Sequence, residues 1–297
     1  MYFFTFVILH YIVIDDTVEC IDSILENTNY EKYKIVVVDN GSPNGTGKIL
    51  FERYRNNNKV IVTLNNENIG FSKGNNIGYR LAKYQLKSDF IMLLNNDTII
   101  KQKDFVEKII NKYNNERFDI LGPDIISLSD NGHQNPQRTQ GMSLKELKKN
   151  IYYLRIFLIS NYLSIETLTT KLLGIRSKLK SKIYKIRNTE EKHFEKKIYE
   201  YEQKNIQLHG SCLIFSPQYV NRYDGLYEET FMFLEEDILF FMAKKYKLIT
   251  LYTPEIYIYH KEDSSTDAIS NKNYLKRRFI YKYTLESSKV LLSLMKK

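Results

Sequence analysis

The sequence predicts an α/β fold on a mostly parallel central sheet, and three observations carry that prediction. Apolar runs of strand length alternate with stretches in which apolar residues recur every three or four positions. Three successive strands each end on a polar cluster, so the clusters gather on one rim of the sheet. The glycines that would open a dinucleotide-binding turn are missing after the first strand and stand instead after the third.

The first strand falls near residues 3 to 9, inside MYFFTFVILHYIVIDD. Its apolar run of about 13 residues is short of the ~18 to 20 a membrane span needs, and it has neither a basic flank nor a small-residue cleavage site. It reads as a buried strand, and no membrane-spanning segment is expected. A helix follows near 17 to 28, with Val18, Ile21, Ile24 and Leu25 on one face, and then the strand KIVVVDN, ending on Asp39 and Asn40. The turn GSPNG leads to a helix near 45 to 56, the strand VIVTL, an amide- and glycine-rich loop and a helix near 74 to 86. The next strand, FIMLLNND, ends on Asn95, Asn96 and Asp97.

A carboxylate such as Asp97 at the end of a buried strand is a turn residue, a helix cap or a ligand holder. One polar cluster would be an ordinary loop start. Three on successive strand ends make a candidate binding site.

Composition narrows the function classes. The 297 residues are enough for one large or two modest domains, and 43% hydrophobic with 13% aromatic content marks a globular chain. Cys20 and Cys212 are the only cysteines and lack metal-ligand spacing, so neither a zinc site nor a disulfide framework is indicated and a reducing cytoplasm is expected. The net charge of +9 is concentrated: residues 144 to 205 hold 15 Lys/Arg against 7 Asp/Glu, a net +8. That segment carries no nucleic-acid-binding motif. It reads as Pro-free basic helices, either a solvated insertion, an oligomer contact or a surface for anionic lipid.

The phrases VVVDNGS, NENIGFSKGNNIG, LLNND, GSCLIFS, FMFLEED and HKEDSST, in that order, resemble the family 2 glycosyltransferases of the GT-A fold, above all their rhamnosyltransferase-like branch. The resemblance covers residues 1 to about 125 and 207 to 266. It implies a Rossmann-like α/β/α sandwich whose nucleotide-sugar-binding half is 1–125 and whose acceptor and catalytic half is 207–266. Residues 126–206 would then be a basic, mainly helical insertion, and 267–297 a helical tail.

The resemblance also implies roles. Asp39 would accept a hydrogen bond from the nucleotide base, with Asn40 and Ser42 beside it, and His10 and Tyr11 would flank the nucleotide through backbone groups. Asn68, Gly70, Gly74, Asn75, Asn76 and Gly78 would form a loop lying along the nucleotide, the glycines letting backbone approach the ligand. Asn95, Asn96 and Asp97 match a D-x-D-like motif whose first acid is replaced by Asn95. Asp97, with His260, would hold a divalent cation, Mg²⁺ or Mn²⁺, on the diphosphate; Ser264, Ser265 and Thr266 could touch phosphate.

One acid of Glu235, Glu236 and Asp237 would be the general base, Glu236 by the ungapped comparison and Asp237 by matching the Glu-Asp pair. Acids there also complement the helix dipole, a plain structural role. The implied activity is inverting transfer from a nucleotide-diphosphate sugar to a saccharide or lipid-linked acceptor in bacterial surface-polysaccharide assembly. The alternatives are a catalytically silent binding or scaffold protein and a nucleotidyltransferase of related fold.

Overall fold

The computed structural model describes residues 1–174, 197–261 and 273–296. Its first elements follow the predicted alternation: β1 (Phe4–His10), α1 (Ile14–Asn27), β2 (Tyr33–Asp39), α2 (Thr46–Tyr54), β3 (Val60–Leu64), α3 (Phe71–Arg80) and β4 (Phe90–Asn95). Then come β5 (Thr98–Ile99), α4 (Phe105–Asn115), β6 (Ile120–Ser127), α5 (Leu144–Tyr162), β7 (Gln203–Lys204) and β8 (Cys212–Phe215). The chain closes with α6 (Pro217–Arg222), α7 (Glu235–Tyr246), β9 (Thr250–His260) and α8 (Asn273–Leu294).

The nine strands form one sheet in the order β3-β2-β1-β4-β8-β6-β9-β5, with β7 also paired to β9. β1 to β4, β6 and β9 run the same way, and β5, β7 and β8 oppose them. The carboxyl ends His10, Asp39, Asn95 and His260 therefore share one rim, and the residues entering β8 arrive at it too.

Both faces of the sheet are buried. Phe4, Phe6 and Ile8 of β1 pack with Ile21 and Ile24 of α1, while Val7 packs with Val36, Val38 and Tyr79 on the opposite face. Two covered faces are why these strands read as continuous apolar runs. Each such side chain contributes roughly 1.5–3 kcal/mol by leaving water. A third cluster, including Leu147, Ile151, Ile238, Leu285 and Leu291, joins α5, α7 and α8.

The helix expected near 74 to 86 starts at Phe71, and its regular part ends at Arg80, where a π-helical turn, Leu81–Gln85, takes over. Gly74 and Gly78 face the sheet: a Cβ on them would stand 2.7 Å from Leu9 Cδ1 and 2.4 Å from Val7 Cγ1. These two glycines let α3 lie close on the side chains of β1 and β2, a packing role for positions that the resemblance assigns to the nucleotide loop. The proposed boundary at residue 125 falls inside β6, and β8, from the second motif-bearing stretch, inserts between β4 and β6. The two halves thus interleave in one sheet. Ser264, Ser265 and Thr266, and residues 175–196 of the basic segment, lie outside the described residues.

Candidate active site

The rim has two sides. On the β1–β2 side, buried polar groups bond mainly to one another. His10 is fully buried between two hydroxyls, Nδ1 at 2.7 Å from Thr17 Oγ1 and Nε2 at 2.9 Å from Thr46 Oγ1. Burial lowers its pKa to about 4, against a smaller opposing pull from Asp39. The ring is a neutral spacer between β1, α1 and α2, and its carbonyl accepts the Asn40 N–H at 2.9 Å.

Asp39 is turned inward. Its carboxylate accepts the Ser42 N–H at 3.2 Å, lies 4.0 Å from His10 Nε2, and rests on Gly47, where a Cβ would come within 2.0 Å of Oδ2. A rim position does not make it dispensable to the fold, because this contact fixes the start of α2.

Asn40 is saturated. Its Nδ2 donates to Asn68 Oδ1 at 3.0 Å and Gly70 O at 3.1 Å, and its Oδ1 accepts from Asn65 Nδ2 and Ile69 N. It staples the glycine loop to the end of β2. Asn68 Oδ1 also accepts the Gly70 N–H at 2.9 Å.

Two further loop amides bond to protein groups. Asn76 is saturated on the segment after α6: Nδ2 donates to Leu226 O and Glu228 Oε1, and Oδ1 accepts the Leu226 N–H. Asn75 Nδ2 donates back to Phe71 O within its own helix. Gly70, at φ 93, is pressed on the segment leading to α7, since a Cβ there would lie 2.4 Å from Phe231 O. The same carbonyl accepts the Phe71 N–H at 2.7 Å. Half-buried Tyr11 borders this side, its carbonyl accepting the Val13 N–H. Ser42 Oγ accepts from Ile12 N at 2.9 Å and Asn44 Nδ2 donates to Ile12 O, which holds a β-branched residue at φ 67.

The other side, around β4, β8, β9 and the start of α7, is charged. β5 pairs Thr98 with His260, and this register sets His260 Nε2 at 3.2 Å from Asp97 Oδ1. His260 Nδ1 donates to Gln134 Oε1 at 2.7 Å. Nε2 is thus the nitrogen turned toward the carboxylate, and an imidazole whose other nitrogen is held by an amide oxygen suits a metal ligand. Lys261 N donates to Asp97 O, and Lys261 Nζ pairs with Asp16 and Glu19 of α1, which anchors this end of β9. Asn96 Nδ2 donates to Thr17 Oγ1 at 3.0 Å, and Asn95 N donates to Ser211 O at 2.9 Å.

That last bond leads to the acids. Glu236 Oε1 accepts the Gly210 N–H at 3.2 Å, one residue before Ser211, so the first turn of α7 is carried to the end of β4. Phe233 and Leu234, just before it, are both left-handed, at φ 72 and 65. Such backbone costs about 1–3 kcal/mol per residue and clusters where chemistry is done. Glu235 is raised to about 8 by burial and then by Glu236, and its Oε1 is sealed from solvent with no hydrogen-bond partner. Burial and Glu236 raise Asp237 to about 6, with Arg138 and Gln207 pulling the other way; its Oδ1 is likewise unpartnered. Asp237 thus faces Arg138 and Gln207 while Glu236 faces the β4–β8 rim.

Sequence reasoning missed several contributors. His209, whose Nδ1 accepts the Ser211 N–H and whose ring centroid lies 6.0 Å from that of His260, directly precedes the phrase GSCLIFS, and that adjacency could have found it. Nothing local marks Gln134, Thr17 or Thr46.

A curled, mostly parallel sheet with this polar rim is the GT-A fold. The chain belongs to glycosyl transferase family 2, whose family model matches residues 5–180. In overall structure it is similar to TarS of S. aureus, residues 1–349, at a TM-score of 0.53 and 16% identity over 95% of this chain and 70% of that one. The same protein in complex with UDP gives a TM-score of 0.52 and 17% identity over 94% and 65%. At these identities the likeness is one of fold.

In sequence, poly-β-1,6-N-acetyl-D-glucosamine synthase of Staphylococcus aureus (strain MSSA476) is 33% identical over 87 residues, 29% of this chain and 20% of that protein. Glycosyltransferase GlyG of Streptococcus pneumoniae serotype 4 is 27% identical over 104 residues, 35% and 33% of the two chains. The matches thus span a third or less of these relatives' length.

Proposed function

We propose that the chain is an inverting glycosyltransferase that moves a sugar from a UDP- or dTDP-linked donor to a saccharide or lipid-linked saccharide in bacterial surface-polysaccharide assembly: capsule, O-antigen or exopolysaccharide. The observation that carries this reading is the convergence at one rim of the Asp97–His260 pair and the first turn of α7, through the Gly210–Ser211–Asn95 link. The name of TarS in complex with UDP supports a uridine donor. The donor sugar is a hexose or deoxyhexose: the motif phrases resemble the rhamnosyltransferase-like branch, while the synthase's name speaks for N-acetylglucosamine. The reaction belongs on the cytoplasmic side, at the inner face of the membrane where a lipid-linked acceptor would lie.

Glu236 takes the proton of the acceptor hydroxyl. The freed oxygen attacks the anomeric carbon, the bond from that carbon to the diphosphate oxygen breaks, and the configuration inverts. No carboxylate serves as nucleophile. Asp97 and His260 are the residues to hold Mg²⁺ or Mn²⁺, one carboxylate and one imidazole, with phosphate oxygens completing the shell. The cation would supply positive charge against the departing diphosphate. Gln134 keeps the imidazole of His260 turned toward Asp97.

A second assignment of the base is favoured by one observation: Asp237, at about 6, has the basicity suited to proton transfer near neutral pH. Turnover of a panel of nucleotide sugars, with and without Mn²⁺, tests the proposal. Release of free nucleotide diphosphate from one donor supports it. Binding without turnover of any donor, whatever the acceptor, would leave a silent scaffold of the same fold.

A further inference from the structure

α5 packs its inner face, Leu147 and Ile151, against Ile238 of α7 and Leu285 and Leu291 of α8. Its outer face is different. Lys145, Lys148, Lys149, Tyr152, Arg155 and Ile159 are all exposed and recur at three- and four-residue spacing along one side. Tyr162 and Leu163 at the end of α5, and Leu168 and Leu172 in the helical stretch after the turn at Ser164, are also exposed, at 57 to 63%. Of the 19 large hydrophobic residues exposed among the described residues, ten lie between 144 and 172 or at 274–275, so the apolar surface is concentrated here.

The charge on this face has one sign. The only acids between 144 and 174 are Glu146 and Glu166. Glu146 is paired with Arg138 and Glu166 with Arg277, so neither neutralises the exposed lysines. A second copy of the chain would bring the same cations against these, at a Coulomb cost. No described helix is long and apolar enough to cross a membrane. A basic stretch that runs into exposed Ile, Leu and Tyr matches the headgroup and acyl layers of an anionic bilayer surface.

We propose that the outer face of α5, together with the exposed apolar residues that follow it up to Leu172, is a docking surface for an anionic lipid bilayer. The site is tied to this face. Ser287 Oγ of α8 donates to Met232 O at 2.8 Å, and Phe231 stacks on Tyr283 at 4.6 Å, so the segment leading to the α7 acids rests on the α5–α8 pair. A docked enzyme would hold its acids at a set height above the lipid.

Vesicle flotation of the full chain tests the inference without depending on the transfer reaction. Phosphatidylglycerol-rich vesicles should retain the protein at low salt, pure phosphatidylcholine vesicles should not, and added salt should weaken retention. Lys145→Glu/Lys148→Glu/Lys149→Glu should weaken binding on the order of 100-fold. Ile159→Asn/Leu163→Asn should weaken it roughly tenfold even at high salt. All five residues are exposed, and unchanged melting temperature and UDP binding would confirm intact folding. No binding to anionic vesicles at low salt, equal binding to both vesicle types, or binding unaffected by either variant overturns the proposal. So does a concentration-dependent dimer that these variants abolish, which would assign the face to a second copy.

Discussion

The two sides of the rim solve opposite problems with similar residues. On the β1–β2 side, Asn40, Asn76 and His10 spend their polar atoms on neighbouring protein groups, and the result is a rigid frame. On the β4–β9 side, Glu235 and Asp237 each keep a buried oxygen without a partner, and His260 confronts Asp97. Buried polar groups cost stability when unpaired, and a carboxylate costs more than a hydroxyl, so two such acids in one helical turn are a costly arrangement. The contrast teaches that polarity at a strand end does not by itself mark a ligand contact: Asn40 and Asn76 are polar and fully used, while the carboxylates opening α7 are not.

The largest effect expected is on turnover. Glu236→Gln keeps shape and hydrogen bonding while removing basicity, so kcat should fall roughly 10²-fold or more with donor affinity intact. Asp237→Asn should cost much less. Rates of nucleotide release at saturating donor decide between them, and near-normal rates in both variants would remove the α7 acids from the mechanism.

The glycines test the frame itself. Gly78→Ala drives a methyl into Val7 and Val38 and should lower stability by about 1–3 kcal/mol, read as a fall in melting temperature. Gly70→Ala meets backbone at Phe231 in a left-handed conformation, so it should lower kcat as well as stability. Equal kcat losses in the two would show that the loop and the α7 acids are not mechanically joined.

Asn40→Ala leaves Ile69 N–H and Gly70 O to find new partners and should cost about 1–3 kcal/mol in denaturant unfolding. Donor KM should rise with kcat little changed, since the frame and not the base is damaged. A kcat defect as large as that of Glu236→Gln would blur the division between the two sides.

The remaining effect is a gain. Glu235 has a folded pKa of about 8 against an ordinary 4.5, so the folded state keeps a proton that the unfolded chain has lost. Its contribution is fully present below 4.5 and disappears as pH rises through 8. Glu235→Gln should therefore gain stability over the parent as pH rises from 4 to 8, read as a melting-temperature difference that widens with pH. A melting-temperature gain that is the same at both pH values would count against the buried acid.

Sequence alone determined the alternation of strands and helices, the polar strand ends at Asp39, Asn95 and Asp97, and the run of acids opening α7. Those are local properties, and side-chain periodicity and composition report them directly. The tertiary structure decided which polar groups were already used. Asp97 and His260 stand 163 residues apart and meet only because β5 pairs antiparallel with β9. Asn76 is spent on Leu226, 150 residues away. Gly74 and Gly78 belong to helix–sheet packing, though their sequence setting looks like a ligand loop. Whether a donor or acceptor is free depends on a partner, and a partner brought in from another strand or helix leaves no trace in the residues around either one.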